Sequence, residues 1–96
     1  MSGEKAVWVF HASEARFAGG VFKDVALAEA WIEKNKLTGL LTAYPIDEGC
    51  LDWAVRTGSV GIKEEKLRQK SADPAFVGGF TSAAQEHFHY ENGRRA

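Results

Sequence analysis

Asp24-Val-Ala-Leu-Ala-Glu-Ala-Trp-Ile-Glu-Lys-Asn35 carries the clearest helical pattern in this chain, and its place between strand-like runs decides the fold. Asp24 is a good N-cap, because its carboxylate accepts a bond from a backbone N–H of the first turn. Leu27, Ala28, Trp31 and Ile32 recur at the spacing of one helical face, while Glu29, Glu33 and Lys34 hold much of the rest. Glu29 precedes Glu33 by four residues, so that pair adds no ionic support. Asn35 and Gly39 bracket the end, and Lys34 and Lys36 suit the negative pole of the helix.

Upstream, Ala6-Val-Trp-Val-Phe10 is rich in β-branched and aromatic residues and reads as a strand. Period two puts Val7, Val9 and His11 on one face and Ala6, Trp8 and Phe10 on the other. Apolar residues on both faces suggest a central strand. Gly19-Gly20 marks a turn or bulge before a second strand at Val21-Phe22, and a hairpin is the simplest connection. The glycine pairs Gly19-Gly20 and Gly78-Gly79 match no phosphate-binding loop.

Downstream, Gly39 to Tyr44 reads as a third strand that Pro45 ends or places at an edge. Asp47-Glu-Gly49 is a turn signal. Cys50 to Arg56 is expected as a fourth strand with Trp53 and Val55 on one face, a short helix being the alternative. Lys63 to Lys70 reads as a loop or frayed helix with Leu67 as its apolar anchor. Ser71 or Asp73 can cap a short helix near Pro74, with Phe76, Val77 and Phe80 as its apolar side. Ser82 to Gln85 forms a turn or one helical turn. Glu86-His-Phe-His-Tyr-Glu91 alternates as a last strand, Phe88 and Tyr90 facing the core, His87, His89 and Glu91 facing away. Gly93 to Ala96 is expected to fray.

The expected fold is a single α+β domain over residues 1–96. It has a four- or five-stranded mostly antiparallel sheet, one main helix packed on one face and a short C-terminal helix. Composition agrees: 45% hydrophobic and 26% charged residues in a chain of 96 are ordinary for a globular protein. The net charge of −1 argues against a nucleic acid or an anionic membrane as partner. The charges between Lys63 and Lys70 mix signs, as on a solvated face. Cys50, the only cysteine, excludes an internal disulfide and a multi-cysteine zinc site, and fits the cytoplasm. Met1 to Lys5 lacks the apolar core of a signal peptide, and no apolar run is long enough to span a membrane.

Chemistry-bearing residues are few. His87, His89 and Glu91 share one strand face, and two imidazoles with a carboxylate can hold zinc or non-haem iron. That spacing also arises on a plain polar face. If the last strand lay beside the first, His11 would join them and the cluster could do acid–base work. Ser13, Thr81 and Ser82 have no fixed base, and no Gly-x-Ser-x-Gly elbow occurs. Tyr44 and Trp53, placed near a sheet edge, are candidates for contacting a protein partner, since aromatics are enriched at interface centres. Core packing is the plainer reading of both, as it is of Cys50.

The runs Val7-Trp-Val-Phe-His11, Ala28-Glu-Ala-Trp-Ile32, Leu37-Thr-Gly39, Leu41-Thr-Ala-Tyr-Pro45 with Asp47, and Gln85-Glu-His-Phe-His-Tyr-Glu-Asn-Gly93 resemble a family of small bacterial proteins of unknown function. The resemblance covers nearly the whole chain and implies a bacterial source and a stand-alone domain. It implies no reaction, cofactor or catalytic residue. At Cys50-Leu51 the chain departs from the family's aromatic before Asp52. No catalytic residue, cofactor or metal is assigned, His87 and His89 being the only metal candidates. The expected role is a non-enzymatic protein-binding module in the cytoplasm, monomeric or homodimeric. The alternatives are a toxin-neutralising immunity-like protein and a histidine- or metal-dependent enzyme.

Overall fold

The computed structural model describes residues 6–58, 64–78 and 85–96. Strand β1 (Ala6–Ala12) is followed by β2 (Gly20–Phe22), helix α1 (Val25–Lys34) and β3 (Gly39–Pro45). Three short helices come next: α2 (Cys50–Arg56), α3 (Glu64–Lys70) and α4 (Pro74–Gly78). Strands β4 (His87–Glu91) and β5 (Arg94–Arg95) close the order. The five strands form one sheet, β2-β1-β3-β4-β5, with every neighbour antiparallel. This is the α+β architecture the sequence predicts.

Helix α1 forms where its capping residues set it. The Asp24 carboxylate accepts from the Ala26 N–H at 2.9 Å. At the other end, Lys36 takes a left-handed φ of 54°, so that its N–H reaches the Glu33 carbonyl and the Leu37 N–H the Ile32 carbonyl. These paired bonds satisfy carbonyls that the last turn leaves open. Leu37 then packs against the same core as Ile32.

The core lies between α1 and one sheet face, where Phe10, Ala28, Ile32, Leu41 and Tyr90 are buried together. An aromatic layer surrounds it. Phe10 meets Trp31 edge-on at 5.6 Å, and Phe22 lies 5.4 Å from the same indole. Trp8, paired with the small Ala43, stacks on Phe88 at 5.6 Å. Burial of such rings is the main stabilising term, at about 1.5–3 kcal/mol for a full side chain. Gly39 sits where β1 crosses closest: a Cβ there would lie 2.7 Å from Ala12 Cα and strike the His11 carbonyl.

Three expectations need correction. Cys50–Arg56 is helix α2, not a strand. Asp52 in its first turn and Arg56 in its last suit the helix dipole, and Leu51, Trp53 and Ala54 are buried. Arg56 grips Glu48 through two nitrogens, at 2.9 Å from Nε and 3.0 Å from Nη2. Second, Leu27 is 62% exposed. At about 100° per residue, the buried line between Ala28 and Ile32 runs about 120° from Leu27 but only about 80° from Glu29. Third, residues 94–95 pair with β4 as β5. Asn92 and Gly93 take φ of 50° and 87°, the two positive angles that a type I′ hairpin requires. Pro45 ends β3, one of the two outcomes the sequence allows, and pairs with Ala6 on an interior strand.

The stretch Lys63–Lys70 resolves into helix α3 from Glu64 onward. Asp73 caps α4 by accepting from Ala75 at 3.0 Å, with Pro74 in the first turn. Phe80 and residues 82–84 of the turn expected over Ser82 to Gln85 lie outside the described residues.

Candidate functional site

The strand β4 places Phe88 and Tyr90 in or against the core, and His87, His89 and Glu91 on the opposite face. His87 and His89 come together, their ring centres 5.2 Å apart and their planes near perpendicular at 83°. His87 Nδ1 lies 3.0 Å from the Gln85 carbonyl, so a proton on Nδ1 leaves Nε2 as the lone-pair nitrogen. His11 is on the same face but not beside them. β3 intervenes: His11 pairs with Leu40, and Leu40 pairs with His89. Two strand spacings, about 10 Å, therefore separate His11 from His89. Its Nε2 instead meets the Ala15 carbonyl at 2.7 Å. Glu91 pairs with Arg94 across the hairpin. Among the described residues, no group of three or more His, Cys, Asp or Glu is arranged to hold a metal.

A second polar cluster joins the helix to the C-terminal hairpin. The Tyr90 hydroxyl donates to Glu29 at 2.5 Å, and Arg95 Nε pairs with the same carboxylate oxygen. The hydroxyl bond, then the Arg95 guanidinium, hold the Glu29 carboxyl below its usual range. Burial and the Glu29 bond push the Tyr90 phenol up to about 12. The Arg95 guanidinium also lies 3.9 Å over the Phe88 ring. The hairpin tip docks on the end of α1: Gly93 N–H donates to the Leu37 carbonyl at 2.8 Å and Asn92 N–H to Thr38 Oγ1 at 3.0 Å. Between helix and hairpin is an open depression of about 390 Å³ lined by Glu29, Glu33, Tyr90, Gly93, Arg94 and Arg95.

Among the described residues, the outer edge of the sheet on the other side is β2, only three residues long. Large apolar side chains are exposed around it: Phe17 at 74%, Val21 at 62% and, just beyond it on α1, Leu27. Val21 pairs with Val9 and points away from α1, whereas Leu27 lies on the α1 side. Apolar surface therefore flanks this edge on both faces.

The partner candidates fare differently. Tyr44, next to last in β3, is half-buried, while Trp53 is 8% exposed within α2. Burial pushes the Cys50 thiol up, which disfavours the thiolate that a nucleophile needs. Buried polar groups without a partner among the described residues are Trp53 Nε1 and both amide atoms of Gln85, a residue only 2% exposed.

A family model described as a domain of unknown function, DUF7710, matches residues 7–96. The chain belongs to the DUF7710 family. Comparison with curated proteins and with solved structures finds no match to either. In this DUF7710 domain, the cluster that sequence reasoning missed is Glu29, Tyr90 and Arg95. Glu29 read as part of a solvated helix face and Arg95 as part of a frayed tail. The signal was present in Asn92-Gly93, the dipeptide of a two-residue hairpin, which brings Arg95 back beside Tyr90. No helix among the described residues of the DUF7710 chain is long and apolar enough to cross a membrane.

Proposed function

We propose that this chain is a non-enzymatic protein-binding module that works as one domain in the bacterial cytoplasm and receives its partner at the β2 edge. The observation that carries this reading is the exposure of Phe17 and Val21 beside an outer strand. Soluble proteins protect such edges with short strands and charges, and β2 is short and followed by Lys23. Phe17 and Val21 run against that protection. A strand added to β2 gains backbone bonds from the edge and meets apolar surface on both faces, the side of Val21 and the side of Leu27. Aromatic anchors such as Phe17 supply much of the energy in such contacts.

The test is affinity capture from a lysate of the source organism with the wild-type chain and the Phe17→Asp/Val21→Lys double variant, alongside light scattering. A salt-resistant partner held by the wild type and lost by a folded variant supports the reading. Retention by the variant, or a monomer with no partner, contradicts it. If the partner is a toxin, the module is an immunity-like protein. If it is a second copy, the module is a homodimer.

A further inference from the structure

We propose that His87 and His89 form a two-histidine site for a divalent transition metal, zinc being the ion that suits it. Two observations carry this. The residues stand two apart on β4, so their side chains leave the same face of the sheet. The ring centres are 5.2 Å apart. A zinc–nitrogen bond of about 2.0–2.1 Å puts each ring centre about 3.2 Å from the ion, and a tetrahedral angle of about 109° then puts two ring centres about 5.2 Å apart. The observed separation admits two imidazoles on one tetrahedral ion.

The surroundings of His87 fit the same role. A metal-bound histidine characteristically gives its other ring nitrogen to a carbonyl or carboxylate, which fixes the tautomer and aims the ring. The Gln85 carbonyl, 3.0 Å from His87 Nδ1, is such a partner and leaves Nε2 as the ligand atom. His89 is exposed, so its ring turns without disturbing the core. Glu91 is one more step along the same face, about 7 Å beyond His89 and about 13 Å beyond His87 by strand rise, and stands opposite Arg94 in the strand register. The site therefore has two protein ligands, with water in the remaining positions. The ordinary alternative is an edge-to-face ring contact, for which no metal is needed.

The experiment is calorimetric titration of the full chain with zinc ion at neutral pH, with imidazole resonances followed by NMR. The expected result is one ion per chain, with shifts confined to His87 and His89. His89→Ala and His87→Gln each weaken binding by more than about tenfold, the lower bound for loss of even an outer partner of a metal ligand. His11→Ala leaves binding unchanged. Far-UV circular dichroism confirms that each variant is folded, and His89→Ala, altering an exposed residue, carries the test if His87→Gln unfolds. Absence of zinc binding, equal binding by folded His89→Ala, or loss of binding on His11→Ala overturns the proposal.

Discussion

Replacing Tyr90 by Phe tests what holds the C-terminal hairpin to the helix. The ring stays and keeps its packing with Phe10, Ile32 and Leu41. Only the hydroxyl that donates to Glu29 at 2.5 Å is lost. A hydrogen bond to a charged group contributes about 1.5–3 kcal/mol. Two features lower that figure here. The Glu29 side chain is 32% exposed, so water replaces part of the lost bond, and Arg95 remains on the same oxygen. The expected loss is about 1–2 kcal/mol. Urea unfolding followed by tryptophan fluorescence should show a lower midpoint at unchanged slope. For a domain this size each kcal/mol corresponds to about 4–8 °C in Tm. The double variant Tyr90→Phe/Glu29→Gln should lose less than the sum of the single losses, by about 0.5 kcal/mol or more. A single-variant loss under about 0.3 kcal/mol, or strict additivity, would refute the argument that this bond fastens the hairpin.

The same cluster sets a pH dependence. Glu29 has a lowered folded pKa, so its contribution is complete above the ordinary glutamate range and disappears as pH falls through the folded value. Glu29→Gln should flatten the acid limb of the stability curve below about pH 4.5. Tyr90 is pushed up to about 12, so its contribution is complete below about pH 10 and is lost as pH rises from there through about 12. An ultraviolet titration should lose its late tyrosinate transition in Tyr90→Phe.

Three backbone and burial predictions follow from single positions. Gly93→Ala should cost about 2 kcal/mol or more by denaturant unfolding: φ is 87°, and a Cβ would come within 3.1 Å of Glu33 Cα. Lys36→Gly should stabilise by about 0.5–1 kcal/mol in the same assay, since glycine takes the left-handed cap without the strain that lysine carries at φ 54°. Gln85→Met should raise stability by about 1 kcal/mol, because it removes a buried amide with no partner among the described residues. A loss of stability in Gln85→Met would mean that the amide is satisfied in solution.

Much of the fold was legible where one short signal suffices. Asp24 marked the helix start, the alternation from His87 to Glu91 marked β4, and Phe88 and Tyr90 marked the buried side of that strand. Cys50–Arg56 was not legible, because seven residues satisfy both periods: Leu51, Trp53 and Val55 alternate, while Leu51 and Ala54 keep helical spacing. The Glu48–Arg56 pair that favours the helix spans eight residues and leaves no local pattern. The Glu29–Tyr90–Arg95 cluster joins residues more than sixty positions apart, so only the hairpin at Asn92-Gly93 hinted at it. His87 and His89 were readable as a pair because strand period alone brings them together. Whether His11 joined them depended on strand order, and β3 between β1 and β4 keeps it apart.

The most direct test of the binding reading is amide hydrogen exchange across Gly20–Phe22, in the chain alone and in complex with its captured partner. The account predicts that exchange at β2 slows in the complex, as an added strand covers the edge. Unchanged exchange at β2, with new protection elsewhere on the chain, would contradict it.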